Sequence, residues 1–282
     1  MKTLTYQFNI GKHEGFVLND YSGAHTADEL IANPSIEELE QLTQEFSFEL
    51  NKIPVDYNNL LIKAGNQHVL VDAGIPRPAG NLFLGLEEIR IDPGEIDTIV
   101  ITHSDMDHIG GILDTEGKIS FPNARFIVME DTWQYWTSEE SRAELARLNN
   151  WAKEKAEFAW ETYSKIKDWI YLVKPGEEFI PGFRMFVAPG HRYDHSILKL
   201  TSSDEQFMHI SDALAHPLFM AKRDWYSTYD ANPNQAIETK EKLLRICASE
   251  NALVFGAHFP FPSLGYIQQE HESWKWLPIE LA

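Results

Sequence analysis

Short apolar, β-branched runs, separated by turns of glycine, proline and asparagine, predict that strands dominate the first half of the chain. Polar turn segments at residues 11–14 and 64–67 each separate two such runs, which predicts two hairpins. A loop rich in proline and glycine, residues 75–85, follows the second hairpin. The strands expected in this half are residues 4–10, 15–19, 59–63, 68–72, 96–102 and 124–129.

The second half of the chain mixes helical and extended patterns. Residues 131–169 are charged, helix-forming and rich in aromatic residues, which at helical spacing favour packing in a core or an interface. Asn232 is expected to cap a helix that runs to about Ser249, and further helices are expected from about residue 36 and over residues 86–91. Short strands are expected at residues 170–173, 183–187, 196–200 and 206–210, as a second sheet, and at 253–255.

This order of elements predicts an α/β fold, because strands and helices alternate without an internal repeat or a low-complexity linker. We expect one domain over residues 1–282, with residues 131–169 as a helical insertion. The aromatic residues of the insertion are expected either to cover a functional site or to form a homodimer contact.

Composition narrows the function classes. The formal net charge of −19 repels phosphate backbones, and no basic cluster offsets it, so a small-molecule substrate is expected rather than nucleic acid. No apolar run is long enough to span a membrane and the N-terminus lacks an apolar signal core, from which we expect no membrane contact and a cytoplasmic location. Cys247 is the single cysteine, so nitrogen and oxygen atoms would have to hold any metal.

The most informative segment is residues 102–111, THSDMDHIGG, which follows a predicted strand and runs into a predicted helix. His103 and Asp105 are two residues apart, so in an extended chain their side chains can point the same way. Asp107 and His108 lie where the chain turns into the helix and can face a second point. One loop could therefore supply ligands to two adjacent cations.

Other predicted strands also end in candidate ligands. His191 follows the strand at 183–187, Asp212 follows the strand at 206–210, and His258 follows the strand at 253–255. Strand ends are where α/β architectures build their sites, because the sheet fixes the backbone while the loops give access.

The order His103-x-Asp105-x-Asp107-His108, then His191, Asp212 and His258, resembles that of the metallo-β-lactamase-fold hydrolases, and the resemblance covers residues 59–258. It implies a four-layer αββα sandwich with a dinuclear metal site. The implied roles are His103, Asp105 and His191 for the first ion, Asp107, His108 and His258 for the second, Asp212 as the bridge, and Asp72 as a supporting residue.

Two positions depart from the family pattern. Relatives usually have histidine where this chain has Asp105, and a carboxylate shifts metal preference toward manganese or iron relative to zinc. We expect two divalent ions, zinc foremost, with manganese or iron as alternatives; a weak or empty first site is the other interpretation. The segment 191–195, HRYDH, replaces the usual HTPGH, so Arg192, Tyr193 or Asp194 is expected to face the pocket, with His195 as a structural residue.

A finer resemblance is to the branch that contains acyl-homoserine lactonases and methyl parathion hydrolases, carried by segments 121–124, 211–217, 235–244 and 256–260. A lactone or ester carbonyl needs only a Lewis acid, a hydroxide that bridges the metals and an apolar wall for the acyl chain, so we expect hydrolysis of a lactone or related ester. The expected proton acceptors are Asp107 and Asp212. The expected donors to the oxyanion are Tyr193, Tyr226 and Tyr229, and the expected apolar wall is Phe83, Trp133, Trp136 and Phe219.

Two alternatives remain open at this level. The same metals could serve a phosphodiester or phosphotriester hydrolase, including a nuclease, although the charge of −19 argues against a polyanionic substrate. The altered first site could also belong to a non-catalytic metal-binding sensor.

Overall fold

The structure is a computed structural model that describes residues 3–32, 34–35, 37, 39, 49–139, 141 and 150–280. The helix predicted from about residue 36 falls largely outside the described residues. None of the helices in the described part of the chain has both the length and the apolar character that a membrane span requires.

Within the described residues, the first half of the chain forms a seven-stranded sheet whose strands follow sequence order. Strands β1 to β4 are antiparallel, and β4 to β7 are parallel. Both predicted hairpins are present, although the second and third strands are longer than expected. The strands are β1 (Thr5–Ile10), β2 (His13–His25), β3 (Ile53–Ala64), β4 (Gln67–Val71), β5 (Thr98–Val100), β6 (Arg125–Met129) and β7 (Ile170–Val173).

The second half forms another sheet, also of seven strands in the described ranges, and its strand order is β14-β13-β12-β11-β10-β9-β8. The neighbours are antiparallel except β11 and β12, which are parallel. The sequence reading missed β8 and the C-terminal hairpin. The strands are β8 (Glu178–Ile180), β9 (Phe183–Val187), β10 (Ser196–Ser202), β11 (Glu205–His209), β12 (Leu253–Phe255), β13 (Leu264–Glu270) and β14 (Ser273–Pro278).

The assignment of residues 170–173 to the second sheet was wrong. They form β7, which pairs in parallel with β6 of the first sheet. The physical reason is the helical connection between the two strands, because a long crossover returns the chain to the same sheet as a parallel neighbour.

Six α-helices lie in the described ranges, and the predicted insertion contributes two of them, α4 and α5. The helix predicted over residues 86–91 begins earlier, at Leu82, and ends at Glu88. Asn232 caps the last helix as predicted, since its side chain accepts a hydrogen bond from the backbone N–H of Gln235. The helices are α1 (Ala27–Leu30), α2 (Leu82–Glu88), α3 (Met106–Ile109), α4 (Glu130–Thr137), α5 (Asn150–Ile166) and α6 (Pro233–Ser249).

The two sheets face each other and the helices lie outside them. Apolar residues of both sheets, such as Val100 and Leu198, form one buried cluster between the sheets. Helices α2 and α5 pack on the outer face of the first sheet, and Leu243 and Leu244 of α6 pack on the outer face of the second. This helix–sheet–sheet–helix order confirms the predicted αββα sandwich.

Candidate metal centre

The loops that follow β5, β9, β11 and β12 bring the predicted ligands to one edge of the sandwich. The loop after β5 carries four of them and continues into the short helix α3. The loops after strands of the second sheet carry the others. The predicted ligands are His103, Asp105, Asp107 and His108 on the first sheet, and His191, Asp212 and His258 on the second.

Asp107, His108 and His258 group around Asp212. We call these three residues the second half-site. One potential ligand atom from each of the four residues lies within 4.8 Å of the others. Asp212 is central, with Oδ2 3.0 Å from His258 Nε2 and Oδ1 3.2 Å from His108 Nε2. Asp107 Oδ2 lies 3.5 Å from His108 Nε2 and 3.4 Å from His258 Nε2.

His103, His191 and the neighbouring Asp105 make up the first half-site, which shares Asp212 with the second. Ligand atoms of His103, His191 and Asp212 lie within 4.8 Å of one another. Asp105 borders this group, because its Oδ2 is 3.6 Å from His191 Nε2 and 4.0 Å from His103 Nε2. The structure therefore brings all the predicted ligands together and sets Asp105 at the rim.

Buried polar atoms of these residues fit a metal pair. The Nε2 atoms of His103, His108 and His191, together with Asp212 Oδ1, are buried and make no hydrogen bond to any described residue. A buried polar atom without a partner costs about 1–3 kcal/mol, so several that converge on one place require a common partner. Nitrogen and carboxylate donors suit zinc, manganese or iron, and the residues therefore fit the implied metals.

The remaining ring nitrogens fix the orientation of the histidines. Asp72 Oδ2 lies 2.7 Å from His108 Nδ1, and the same carboxylate accepts hydrogen bonds from the backbone N–H and the hydroxyl of Thr102. Asp230 Oδ1 lies 3.1 Å from His191 Nδ1. Such partners hold the tautomer and ring plane that a metal ligand needs. Asp72 was predicted in this role from the sequence, whereas Asp230 was missed because no local motif marks it.

His195 supports the shared carboxylate from behind. Its Nε2 accepts a hydrogen bond from the backbone N–H of Asp212, 3.0 Å away, and its Nδ1 lies 2.7 Å from the carbonyl oxygen of Ala188. Burial lowers the pKa of His195 to about 3, so the ring is neutral at physiological pH and can accept that bond. This placement agrees with a structural role.

The pKa values of the histidines are shifted differently in the two half-sites. In the second, burial works to lower the pKa values of His108 and His258, but the carboxylates of Asp212 and Asp107 raise both. In the first, burial and then the charge of His108 lower the pKa of His103. Burial opposes protonation of His191 too, yet the neighbouring carboxylates of Asp105 and Asp230 raise its pKa to about 9.

Arg192, one of the residues expected to face the pocket, binds Asp105 through two parallel hydrogen bonds. Its Nε donates to Oδ1 at 2.9 Å and its Nη2 donates to Oδ2 at 2.6 Å. Burial would raise the pKa of Asp105, but the nearby His191 ring and the charge of Arg192 hold it well below its usual range. Lys155 of α5 adds a second positive charge, with Nζ 3.8 Å from Oδ2.

The neighbouring Asp194 and Tyr193 do not reach the pocket. The buried carboxylate of Asp194 turns toward the insertion, where it accepts hydrogen bonds from Ser104 and from the indole N–H of Trp136. Tyr193 is 67% exposed and lies beside Tyr135, 6.0 Å between ring centroids. Its placement does not support the predicted catalytic role, because an exposed side chain in this position lies away from the ligand cluster.

A cavity of about 250 Å³ opens beside both half-sites. Its lining includes Asp105, Asp107 and His258, and the phenol side chains of Tyr57 and Tyr229. Most of the other lining residues are apolar: Leu30, Val55, Ile75, Pro76, Met106 and Ala215.

The predicted apolar wall is wrong. Phe83, Trp133 and Trp136 pack against the core on the outer face of the first sheet, and Phe219 belongs to the core beneath α6. These aromatic residues seal helices onto sheets, which is the commoner use of aromatic side chains at helical spacing.

Two glycines of the segment at residues 102–111 hold the loop that carries the candidate ligands in place. The backbone N–H groups of Gly110 and Gly111 donate to the carbonyl oxygens of Gly74 and Ala73. A Cβ atom at Gly110 would lie 2.4 Å from the backbone nitrogen of Pro76, and one at Gly111 would lie 2.3 Å from the Ala73 oxygen. This close approach requires glycine at both positions and fixes α3 against the loop that follows β4.

Comparison with known families identifies the class. A model of the metallo-beta-lactamase superfamily matches residues 53–258, more than half of the chain. The chain therefore belongs to the metallo-beta-lactamase superfamily, which confirms the family resemblance drawn from the ligand order.

Solved structures show the same fold over the whole chain. AidC, a dizinc quorum-quenching lactonase in complex with its hexanoyl-homoserine product, matches with a TM-score of 0.90 at 20% identity, covering 100% of both chains. AbOPH, a hydrolase of the β-lactamase superfamily, matches with a TM-score of 0.91 at 23% identity, covering 100% of this chain and 99% of the other. At these identities the likeness establishes the fold.

Among curated proteins, the chain is similar to the anti-Pycsar protein Apyc1 of Saccharibacillus brassicae, with 34% identity over 68 residues. The match covers 24% of this chain and 26% of Apyc1, so it spans about a quarter of that relative's length.

Proposed function

We propose that the protein is a metal-dependent hydrolase of lactones or related esters. The observation that carries the proposal is the convergence of unpartnered ligand atoms from both half-sites beside a mainly apolar cavity. A lactone or ester presents one polar carbonyl group and an apolar chain, and these two parts match the two sides of the cavity. AidC, which has the same fold, is itself described as a lactonase.

The proposed ligands are those that the structure groups. His103, Asp105 and His191 would hold one ion, Asp107, His108 and His258 the other, and Asp212 both. Bound divalent ions would polarise the carbonyl oxygen and generate a nucleophile from water near neutral pH. Zinc is the foremost candidate, with manganese and iron as alternatives.

Asp107 is the carboxylate best placed to move the proton. Its side chain is 23% exposed and lines the cavity, whereas that of Asp212 is only 7% exposed. Burial works to raise the pKa of Asp107, but the charges of His108 and His258 lower it, so the group is ionised and can accept a proton. We assign Asp107 to take the proton of the attacking water and return it to the leaving alkoxide. Asp212 would serve as a ligand to both ions.

Of the three tyrosines predicted as oxyanion donors, Tyr193, Tyr226 and Tyr229, only Tyr229 lines the cavity. We propose Tyr57 and Tyr229 as the donors to the developing oxyanion. Both line the cavity, and the ring of Tyr57 packs edge-on against His258 with 4.7 Å between centroids. Burial raises the pKa of the Tyr57 phenol, which keeps its proton available for donation.

The test is a metal add-back assay on the stripped protein. The protein is stripped with a chelator, reloaded separately with zinc, manganese or iron, and assayed on acyl-homoserine lactones of increasing chain length and on aryl esters. We expect turnover to vanish on stripping and to return with an added ion. Asp107→Asn should abolish it, whereas the matched control Asp97→Asn, at an exposed hydrogen bond to the His68 backbone, should not.

Failure has two distinct forms. Turnover that survives stripping would contradict metal dependence. A metal-dependent rise in melting temperature without turnover of any lactone or ester would favour the sensor alternative instead.

A phosphodiester or phosphotriester hydrolase is the second candidate. The observation that favours it is the pair of cationic side chains beside Asp105, namely Lys155, which lines the cavity, and Arg192. Including p-nitrophenyl phosphodiesters and phosphotriesters in the same panel separates the two, because the ester hydrolase should turn over the carboxylic substrates at least about a hundredfold faster, about 2.7 kcal/mol in barrier height.

A further inference from the structure

The guanidinium of Arg192 is held from several sides. Besides its two bonds to Asp105, its Nη1 donates to the carbonyl oxygens of His191 and Tyr229. The side chain is 21% exposed and the Asp105 side chain is 14% exposed, so water screens the pair only partly. The geometry is the planar, two-point pairing of guanidinium and carboxylate, which a lysine cannot reproduce.

The same Asp105 oxygen serves both the arginine and the first half-site. Oδ2 accepts the 2.6 Å bond from Arg192 and lies 3.6 Å from His191 Nε2, an atom that makes no hydrogen bond to any described residue. Arg192 therefore places a fixed positive charge directly behind the oxygen that would face an ion.

The formal charges at the first half-site follow from this pairing. Asp105 contributes −1 and Arg192 contributes +1, so the pair sums to zero, while His103 and a neutral His191 add none. The charges of Lys155, 3.8 Å from Asp105, and of Asp230, 3.1 Å from His191, cancel each other. Asp212 then supplies the remaining negative charge, which it shares with the second half-site. The first half-site thus has the charge of a site in which a neutral imidazole takes the place of Asp105.

We propose, on the basis of the metal-dependent function above, that Arg192 is a positioning residue that cancels the charge of Asp105. The consequence is that the first half-site binds a divalent ion more weakly than its carboxylates alone would allow. Arg192, rather than Asp105 by itself, then sets the affinity and the metal preference of that half-site.

The experiment is a metal titration of the stripped protein in the presence of a competing chelator, with cobalt(II) and zinc as probes. Removing a unit positive charge a few ångströms from a divalent ion should tighten the first half-site at least about tenfold in Arg192→Gln. The second half-site should change by less than about threefold in the same variant, because charges at greater distance are more strongly screened. Arg192→Lys, which retains the charge, should remain close to the wild type.

A double-mutant cycle isolates the pair. Asp105→His alone leaves Arg192 unpaired beside a neutral ligand, so the first half-site should weaken. Adding Arg192→Gln to Asp105→His should restore the affinity, which makes the two changes strongly non-additive. The cobalt absorption spectrum reports ligand geometry and would change with Asp105→His, a readout that does not depend on turnover.

A matched control separates charge from folding. Arg184→Gln removes another arginine–carboxylate pair, the exposed contact between Arg184 of β9 and Glu178 of β8. It should leave both affinities unchanged, and melting temperatures of all the stripped variants would reveal any loss of fold.

The outcomes distinguish the two proposals. A wild-type protein that binds two ions, with an unchanged first half-site in Arg192→Gln, would overturn the role of Arg192 and leave the proposed function standing. A wild-type protein that binds one ion, with a second ion appearing in Arg192→Gln, would support the role. No measurable binding in either protein would overturn the proposed function and the role of Arg192 together.

Discussion

The two half-sites share Asp212 and draw on the same ligand types, yet the protein surrounds them differently. Behind the second half-site lies a carboxylate, Asp72, which contacts His108 Nδ1 at 2.7 Å. Beside the first lies a guanidinium, Arg192, which binds the Asp105 carboxylate. The second half-site gains one negative charge from Asp72, whereas at the first the two positive charges of Arg192 and Lys155 outweigh the negative charge of Asp230. If the protein binds two ions as proposed, the ligand types alone would not determine how strongly each ion is held.

The largest effect is expected from the residue that the half-sites share. Asp212→Asn removes the charge on which both depend, so we expect the bound metal to fall below one ion per chain. Turnover should fall at least about a thousandfold, about 4 kcal/mol of transition-state stabilisation. Elemental analysis and kinetics on the purified variant provide the check, and retention of one tightly held ion would show that the half-sites are more independent than their geometry indicates.

Asp72→Asn should weaken metal binding at the second half-site alone. Loss of the charged partner of His108 is expected to weaken the second half-site by about 10- to 100-fold, while the first changes little. Chelator competition measures both affinities. The control Asp97→Asn lies just before β5, the strand that leads to the ligand loop, and should change neither. Equal weakening of both half-sites would break the comparison.

Asp230→Asn is the counterpart on the other side. Its contact to His191 is longer, at 3.1 Å, and Asp105 also acts on that ring, so we expect only about a tenfold loss at the first half-site. Asp92→Asn, a surface helix cap that accepts from Gly94, serves as the matched control. If Asp230→Asn weakened metal binding at the first half-site as much as Asp72→Asn weakens it at the second, Arg192 would not account for a difference between the half-sites.

The smallest expected difference between the half-sites is in the number of protons released when an ion binds. A histidine must be neutral to bind a metal, so a histidine whose pKa is raised must release its proton when an ion binds. His108 and His258 both have raised pKa values, whereas in the first half-site only His191 does, at about 9. We therefore expect more protons to be released when an ion binds at the second half-site than when one binds at the first.

The sign is the same for both half-sites. Affinity rises with pH while protons compete with the ion, and the first half-site levels off above the His191 pKa of about 9. Calorimetry in buffers of different ionisation enthalpy counts the protons, and equal counts at the two half-sites would contradict the assignment.

Much of the fold could be predicted from local sequence, because strands next to the ligands combine β-branched runs with turn residues on both sides. The run at residues 96–102 and the capped helix after Asn232 are examples. The sheet to which residues 170–173 belong could not be predicted, since it depends on where the helical connection returns the chain. The hairpin of β13 and β14 lacks a strong alternating pattern and was missed for that reason.

The candidate ligands could be singled out in the sequence because they cluster in one motif or directly follow strands. Their partners could not be predicted, with Asp72 as the exception, since that residue stands at a recognisable strand end. Asp230 reaches His191 across 39 residues and Arg192 reaches Asp105 across 87. Contacts over such separations are set by tertiary packing and leave no periodic signal in the sequence.

The sheets also divide the chain at one point, because β1 to β7 lie before the turn at residues 174–177 and β8 to β14 lie after it. His103, Asp105, Asp107 and His108 belong to the leading half, and His191, Asp212 and His258 to the trailing half. An ion in either half-site would thus act as a reversible cross-link between two consecutive halves of one polypeptide. Removal of the ion would therefore loosen the contact between the two halves of the chain and would also abolish the proposed hydrolysis.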